Sequence, residues 1–170
     1  IPSEISGKWF RKRKFKFNKK KIKILYLGRF KKEKGFFSLI QLIRKMKTEY
    51  DFTLAGDEIQ KDIKLKNLNI IGKISSEKKI ISLYDNSDIF VLPSYTEGCP
   101  KVMHESISRM RHMIIFDDIF HVKNMYKGIF CYKRNANDFQ KKIQHISTNY
   151  NDIQKKMMKN KLFTKKDSQK

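Results

Sequence analysis

Hydrophobic positions along this chain follow two periods in turn. Short apolar runs end at glycine or proline. Between them lie stretches whose apolar residues recur three or four positions apart. Lys23-Ile24-Leu25-Tyr26-Leu27 stops at Gly28 and reads as a buried parallel strand. Residues 35–47 put Phe36, Leu39, Ile40, Ile43 and Met46 on one helical face. Phe52-Thr53-Leu54-Ala55 before Gly56-Asp57, and Leu68-Asn69-Ile70-Ile71 before Gly72, are two further strands closed by turns. Ser75 or Ser76 is placed to cap a helix running to about Asn86. Asp88-Ile89-Phe90-Val91-Leu92 is a fourth strand, stopped by Pro93. Pro100 stands where the next helix begins, because its missing N–H costs nothing there, and that helix runs to about Met110. Met113-Ile114-Ile115-Phe116 and Gly128-Ile129-Phe130-Cys131-Tyr132 are the last strands. Asn135 or Asn137 opens a helix with Phe139, Ile143 and Ile146 inward, and helix resumes from about residue 150.

Strands alternating with helices predict an α/β fold, a doubly wound and mainly parallel sheet of Rossmann type. Such sheets bind ligands beyond the carboxyl ends of their strands. The turns at Gly28, Gly56, Gly72 and Glu97 all fall at that edge. Residues 22–148 form the expected domain. Residues 1–21 read as a basic linker or crossing segment outside the core, and 149–170 as a basic C-terminal helix and tail. The start, Ile1-Pro2-Ser3-Glu4, has no methionine and reads as an internal boundary.

Charge changes the picture at the ends. The formal net charge is +22. Residues 1–23 hold ten Lys/Arg against one acid, and residues 155–170 hold seven against one, so more than half of the excess sits in the flanks. Three readings suit such flanks: an anionic membrane surface, non-specific nucleic-acid binding, or a composition that uses Lys as its solubilising residue. No apolar run approaches the roughly 20 residues that span a bilayer. Cys99 and Cys131 fit neither a metal spacing nor a disulfide framework, which favours a reducing cytoplasm.

Candidate chemistry gathers in two loops. Arg29 and Lys34 follow the first strand and precede a helix whose N-terminus favours anions. A guanidinium grips phosphate oxygens in two places and an ammonium adds a compact charge. Glu97 and Glu105 flank the Gly98-Cys99-Pro100 turn, Glu97 in the loop and Glu105 in the first turns of the helix, so both are expected to face one cleft. A carboxylate accepting two hydrogen bonds suits a vicinal diol such as that of ribose. Backbone N–H groups at Gly98 and Cys99 suit phosphate or sugar oxygens, while the Cys99 side chain is given no chemistry. Lys101 borders the same site. Of the histidines, His104 and His121 lie nearest the site, His104 weighed against a packing role; His112 and His145 read as surface positions. Phe36, Phe90, Phe116 and Phe130 read as core.

Several ordered segments carry a resemblance to a family. They are Leu25-Tyr26-Leu27-Gly28-Arg29 with Glu33-Lys34-Gly35, Phe52-Thr53-Leu54-Ala55-Gly56-Asp57, Ile70-Ile71-Gly72-Lys73-Ile74, and Leu83 through Ser94. The fifth is an E-x7-E motif from Glu97 to Glu105. From about Lys23 to about Ile146 the chain resembles the carboxyl-terminal half of retaining GT-B glycosyltransferases, the glycosyl transferases group 1 family.

That resemblance implies a domain that binds a nucleoside-diphosphate sugar and transfers the sugar with retention, without a metal or other cofactor. Arg29 and Lys34 would bind the donor diphosphate, Glu105 the ribose hydroxyls and Glu97 the transferred sugar. Gly98 and Cys99 would place sugar and phosphate through their backbone, and Gly72, Lys73 and Ile74 would border the base. Implied partners are the donor, a glycan or lipid-linked acceptor, and an amino-terminal Rossmann half that supplies the acceptor site. The implied setting is cell-envelope polysaccharide synthesis in the cytoplasm, with a peripheral contact at the inner face of the membrane and no specific nucleic acid. A non-catalytic nucleotide-sugar-binding module stands as the alternative, followed by a basic membrane- or nucleic-acid-binding protein on the same scaffold. Two stretches depart from the family: Arg109-Met110-Arg111-His112-Met113 stands where a Gly-x-Pro turn is frequent, and Asp117-Asp118-Ile119-Phe120-His121 replaces a Gly-Gly-x-x-Glu loop.

Overall fold

The structure, a computed structural model, describes residues 5–10, 17, 21–46, 49–57 and 63–162. Most of the basic amino-terminal segment and residues 163–170 of the tail lie outside the described residues. Six strands form one sheet: β1 (Ile22–Leu27), β2 (Tyr50–Ala55), β3 (Leu68–Ile71), β4 (Ile89–Leu92), β5 (His112–Phe116) and β6 (Ile129–Tyr132). Their order is β3-β2-β1-β4-β5-β6 and every pairing is parallel. The order reverses between β1 and β4, which opens a crevice at their carboxyl ends. Helices α1 (Phe36–Lys45), α2 (Glu77–Asp85), α3 (Lys101–Ser108), α4 (Ala136–Thr148) and α5 (Tyr150–Met157) complete the layers.

Alternate residues of the central strands feed two cores. Ile24 and Tyr26 of β1, Ile89 and Val91 of β4, and Ile114 and Phe116 of β5 pack under α1 and α4. Leu25, Phe90, Leu92, Met113 and Ile115 point the other way, against α3 and α5. Burial on both faces explains why β4 and β5 are apolar at nearly every position. The five apolar positions expected on the face of α1 are all buried.

Local signals mark the helix starts. The Ser76 hydroxyl accepts from Lys79 N–H before α2, and the Asn135 side chain accepts from Asp138 N–H before α4. Pro100 is the last residue before α3, with extended backbone. Where the family's Gly-x-Pro turn is missing, Met110 adopts φ 60, a left-handed conformation that costs an L residue roughly 1–2 kcal/mol. The turn is braced by Arg109, 1% exposed, whose Nε and Nη2 donate to Asp85 Oδ1 and Oδ2 at 2.9 and 2.8 Å and whose Nη1 donates to the Trp9 carbonyl. Removing one partner of such a buried pair costs roughly 3–5 kcal/mol.

Two expectations are corrected. Ile5 and Trp9, placed outside the core on the basic composition around them, are buried in the second core, where Trp9 Nε1–H donates to Glu77. The 3-10 turn Gly7–Phe10 carries Trp9 there. His112, read as a surface residue, is fully buried: as the first residue of β5 it lies edge-on to Tyr150 of α5. Asp117–His121, which stands where the family has a loop, belongs to a 3-10 segment, Asp117–Asn124, that buries Ile119 and Val122.

Candidate functional site

A cavity of about 300 Å³ opens at the carboxyl ends of β1 and β2. Leu27, Gly28 and Arg29 line it from the end of β1, Ala55, Gly56 and Asp57 from the end of β2, and Lys73 and Ile74 from the turn after β3. Ile80 of α2 and Val102 and Glu105 of α3 complete the wall. The cavity therefore brings two exposed cations, Arg29 and Lys73, to the same place as the Glu105 carboxylate.

Its rim is built by the backbone. Gly28 N–H donates to the Ala55 carbonyl, and Asp57 accepts from Phe30 N–H at 2.9 Å, tying the two strand ends together. That amide holds the Asp57 carboxyl below its usual range. Tyr26 donates to the Arg29 carbonyl at 2.7 Å; burial, then Asp57 and Glu97, raise its hydroxyl and keep it protonated as that donor. A Cβ on Gly56 would meet Phe30 at 2.4 Å and the Gly28 carbonyl at 2.5 Å, so this close approach admits only glycine.

Glu105 is 6% exposed, and burial raises its carboxyl above the ordinary carboxylate value. Lys101 and the Tyr84 hydroxyl oppose that shift. Tyr84 donates to Oε2 at 3.2 Å, and the Lys101 ammonium lies 3.5 Å from Oε1. Lys101 is thus a partner of Glu105, four residues back on one helix face.

Glu97 and Lys34 do not line the cavity; they form an adjoining cluster. Lys34 Nζ lies 2.7 Å from Glu97 Oε1, and the Ser94 hydroxyl donates to the same oxygen at 2.7 Å. The expected pair of carboxylates in one cleft is accordingly split, Glu105 in the cavity and Glu97 in the neighbouring loop. Tyr95 N–H donates to the Glu33 carbonyl, which ties the loop after β4 to the loop after β1. Gly72, Gly98 and Cys99 are outside the lining as well. Gly98 and Cys99 are exposed, and Cys99 Sγ lies 3.2 Å from His104 Nε2. His104 is 3% exposed and packs inside α3, whereas His145 is exposed as expected.

Two further residues reach the loop that carries Glu97: His121, which the sequence placed near the site, and Arg134, which it did not mark. His121, carried by the 3-10 segment, reaches the Glu97 backbone carbonyl with Nε2 at 2.9 Å. Arg134, just past β6, lies between the Tyr95 and Phe116 rings, 3.7 and 3.6 Å from their centroids. It donates to the Pro93 carbonyl and the Ser38 hydroxyl and pairs with Asp118. Both brace the loop that carries Glu97. Among the described residues there is no group of three or more His, Cys, Asp or Glu that could hold a metal ion. No helix among them is long and apolar enough to cross a membrane.

Comparison with known proteins adds three findings. A N,N'-diacetylbacillosaminyl-diphospho-undecaprenol alpha-1,3-N-acetylgalactosaminyltransferase of Campylobacter jejuni is 30% identical over 131 residues, 73% of this chain and 35% of its own length. A putative teichuronic acid biosynthesis glycosyltransferase of Bacillus subtilis, TuaC, is 28% identical over 102 residues, 60% of this chain and 26% of its own. The chain thus spans about a third or less of these curated relatives. The C-terminal domain of the group 1 glycosyl transferase LpcC from Francisella tularensis shares the fold, with a TM-score of 0.61 at 18% identity over 94% of this chain and 90% of that one. The sheet is accordingly that of one half of a GT-B fold. The family model for glycosyl transferases group 1 matches residues 7–162, and the chain belongs to that family.

Proposed function

We propose that this chain is the donor-binding half of a retaining, hexosyl-type glycosyltransferase that acts on a nucleoside-diphosphate sugar. The observation that carries the reading is the cavity shared by Arg29, Lys73 and Glu105 at the carboxyl ends of β1 and β2, walled by α3, the helix that follows β4. Arg29, joined by Lys34 from the same loop, binds the diphosphate. Glu105 accepts hydrogen bonds from the ribose hydroxyls, and Gly72, Lys73 and Ile74 border the base. Glu97 holds the transferred sugar, with the Gly98 and Cys99 backbone placing sugar and phosphate beside it.

The chemistry then needs positioning and charge. The bond from the anomeric carbon to the leaving phosphate breaks, and negative charge grows on that phosphate beside Arg29 and Lys34. The acceptor hydroxyl attacks from the same face, and the departing phosphate takes its proton. The cations supply the positive field, so the family's metal-independent chemistry suits this site. The acceptor is a hydroxyl of a growing cell-envelope glycan or a lipid-linked sugar, in keeping with the names of the two curated relatives. The reaction takes place in the cytoplasm, with a peripheral contact at the membrane.

A second reading is favoured by one observation, that the chain spans only 35% and 26% of those relatives. In it the 170 residues bind donor but transfer nothing until an amino-terminal Rossmann half brings the acceptor. Calorimetric titration with UDP, GDP and ADP, without added metal, tests the binding step that both readings share. One diphosphate is expected to bind, and Arg29→Ala to weaken it about 10-fold or more. A folded chain that binds none of the three contradicts the donor-site reading. Transfer assayed with and without an amino-terminal half separates the two readings.

A further inference from the structure

Beside the donor site lies a chain of three polar side chains that glycosyl transfer does not use. Cys99 stands just ahead of Pro100, and His104 follows in the first turn of α3. This spacing folds the imidazole back under the thiol, with Cys99 Sγ 3.2 Å from His104 Nε2. The other ring nitrogen, Nδ1, lies 3.1 Å from the Tyr126 hydroxyl, which comes from the turn before β6. The two rings meet edge to face at 5.5 Å, which fixes the plane of the imidazole. The sulfur end is open and the histidine end is closed: Cys99 is exposed, and His104 is 3% exposed.

Each part has a physical consequence. Burial lowers the His104 pKa, so at neutral pH the ring is an uncharged base. Tyr126 can donate to Nδ1 or accept from it and so serves either tautomer. Cys131 makes an internal contrast, since it is half-buried on β6 and burial, then Asp117, push its thiol up.

We propose that Cys99, His104 and Tyr126 form a thiol-modification site that reacts with low-molecular-weight disulfides. In the step, the Cys99 S–H proton passes to His104 Nε2 as Sγ attacks one sulfur of the disulfide. A new Sγ–S bond forms, the S–S bond of the reagent breaks, and its second sulfur leaves as a thiolate. That thiolate or water takes the proton back from Nε2. Cys99 is oxidised and half of the reagent is reduced, so no other oxidant is required. Tyr126 is a positioning residue that acts through the imidazole. An adduct on Cys99 stands two residues from Glu97 and closes the donor site; this last consequence rests on the donor-binding reading above.

The test follows the labelling of the 170-residue chain at pH 7 by oxidised glutathione and by dithiobis-nitrobenzoate, with Cys99 and Cys131 resolved by peptide mass mapping. Cys99 is expected to react at least about 10-fold faster than Cys131. His104→Asn removes most of that advantage, and Tyr126→Phe, which keeps the ring packing, removes part of it. The pH profile of Cys99 labelling changes shape in His104→Asn, whereas a purely structural contact would only scale it. Equal rates at the two cysteines overturn the site, as does a Cys99 rate unmoved by both variants. Diphosphate binding is then measured before and after labelling. Loss of binding on labelling supports closure of the donor site, and unchanged binding overturns closure. A chain that binds no diphosphate before labelling overturns the donor reading and closure together, while the rate comparison still decides the thiol site.

Discussion

Lys34 and Glu97, 63 residues apart in sequence, meet at 2.7 Å and join the loop after β1 to the loop after β4. Both side chains are largely withdrawn from solvent, 25% and 12% exposed. In the proposed site the first serves phosphate and the second serves sugar, so each holds the other in place before a donor arrives. Glu97→Gln frees Lys34 for phosphate and removes a negative charge from the anion's surroundings. Diphosphate affinity is expected to rise severalfold, while any gain in affinity from the attached sugar is lost. Lys34→Met is expected to weaken the diphosphate about 10-fold or more. Calorimetry with a diphosphate and its sugar conjugate on both variants checks the two signs.

Two glycines separate stability from function. Gly35 precedes α1 with φ +70, and a Cβ there would come within 1.8 Å of the Pro93 carbonyl oxygen. That carbonyl also accepts from Arg134, so the disturbance spreads to the brace under the Glu97 loop. Gly35→Ala is expected to cost about 2–4 kcal/mol. At Gly98 a Cβ would have nothing within 4 Å, and the backbone there is not left-handed. Gly98→Ala is expected to stay within about 0.5 kcal/mol of the parent in stability. Denaturant midpoints of the two variants, compared with the parent, give the result directly.

Glu105 sits in the cavity at a cost to stability. Its folded-state pKa is raised by burial, so the folded chain binds the proton more tightly than the unfolded one. Stability therefore rises as pH falls from that raised value through the ordinary carboxylate range, and the ionised form is penalised at neutral pH. Glu105→Gln is expected to stabilise the chain at pH 7 by about 1 kcal/mol, an increment that shrinks on acidification. Thermal melts of parent and variant at neutral and acid pH measure the difference.

His112 acts with the opposite sign. Burial, then the Arg111 charge, lower its pKa from 6.5 to about 4. The unfolded chain binds that proton more tightly, so the contribution is full above pH 6.5 and is lost as pH falls towards 4. The full swing is about 3 kcal/mol. His112→Phe is expected to flatten the pH–stability curve in that window, read from denaturant midpoints across it.

The architecture was legible because strand and helix periods do not overlap here. Runs such as Asp88-Ile89-Phe90-Val91-Leu92 are buried on both faces, and Ser76 and Asn135 mark helix starts by local chemistry alone. In the site, Arg29, Lys73, Ile74 and Glu105 were reached through short motifs at strand ends, and the cavity joins them. What escaped depends on contacts distant in sequence. Trp9 is buried against Glu77, 68 residues away, inside a segment whose Lys and Arg masked an apolar anchor. His112 is buried by Tyr150, whose approach nothing near residue 112 announces. Arg134 carries no local signal, because its place is set by Tyr95 and Phe116, which close around its guanidinium.

The central claim is that Glu105 holds the ribose hydroxyls of a nucleoside diphosphate. The most direct measurement is a two-by-two titration: the chain and its Glu105→Gln variant, each with the diphosphate that binds and with its analogue lacking both ribose hydroxyls. The expected result is that losing the hydroxyls weakens binding to the parent about 10-fold or more and to the variant far less. Equal losses in parent and variant, or no loss in the parent, would contradict the claim.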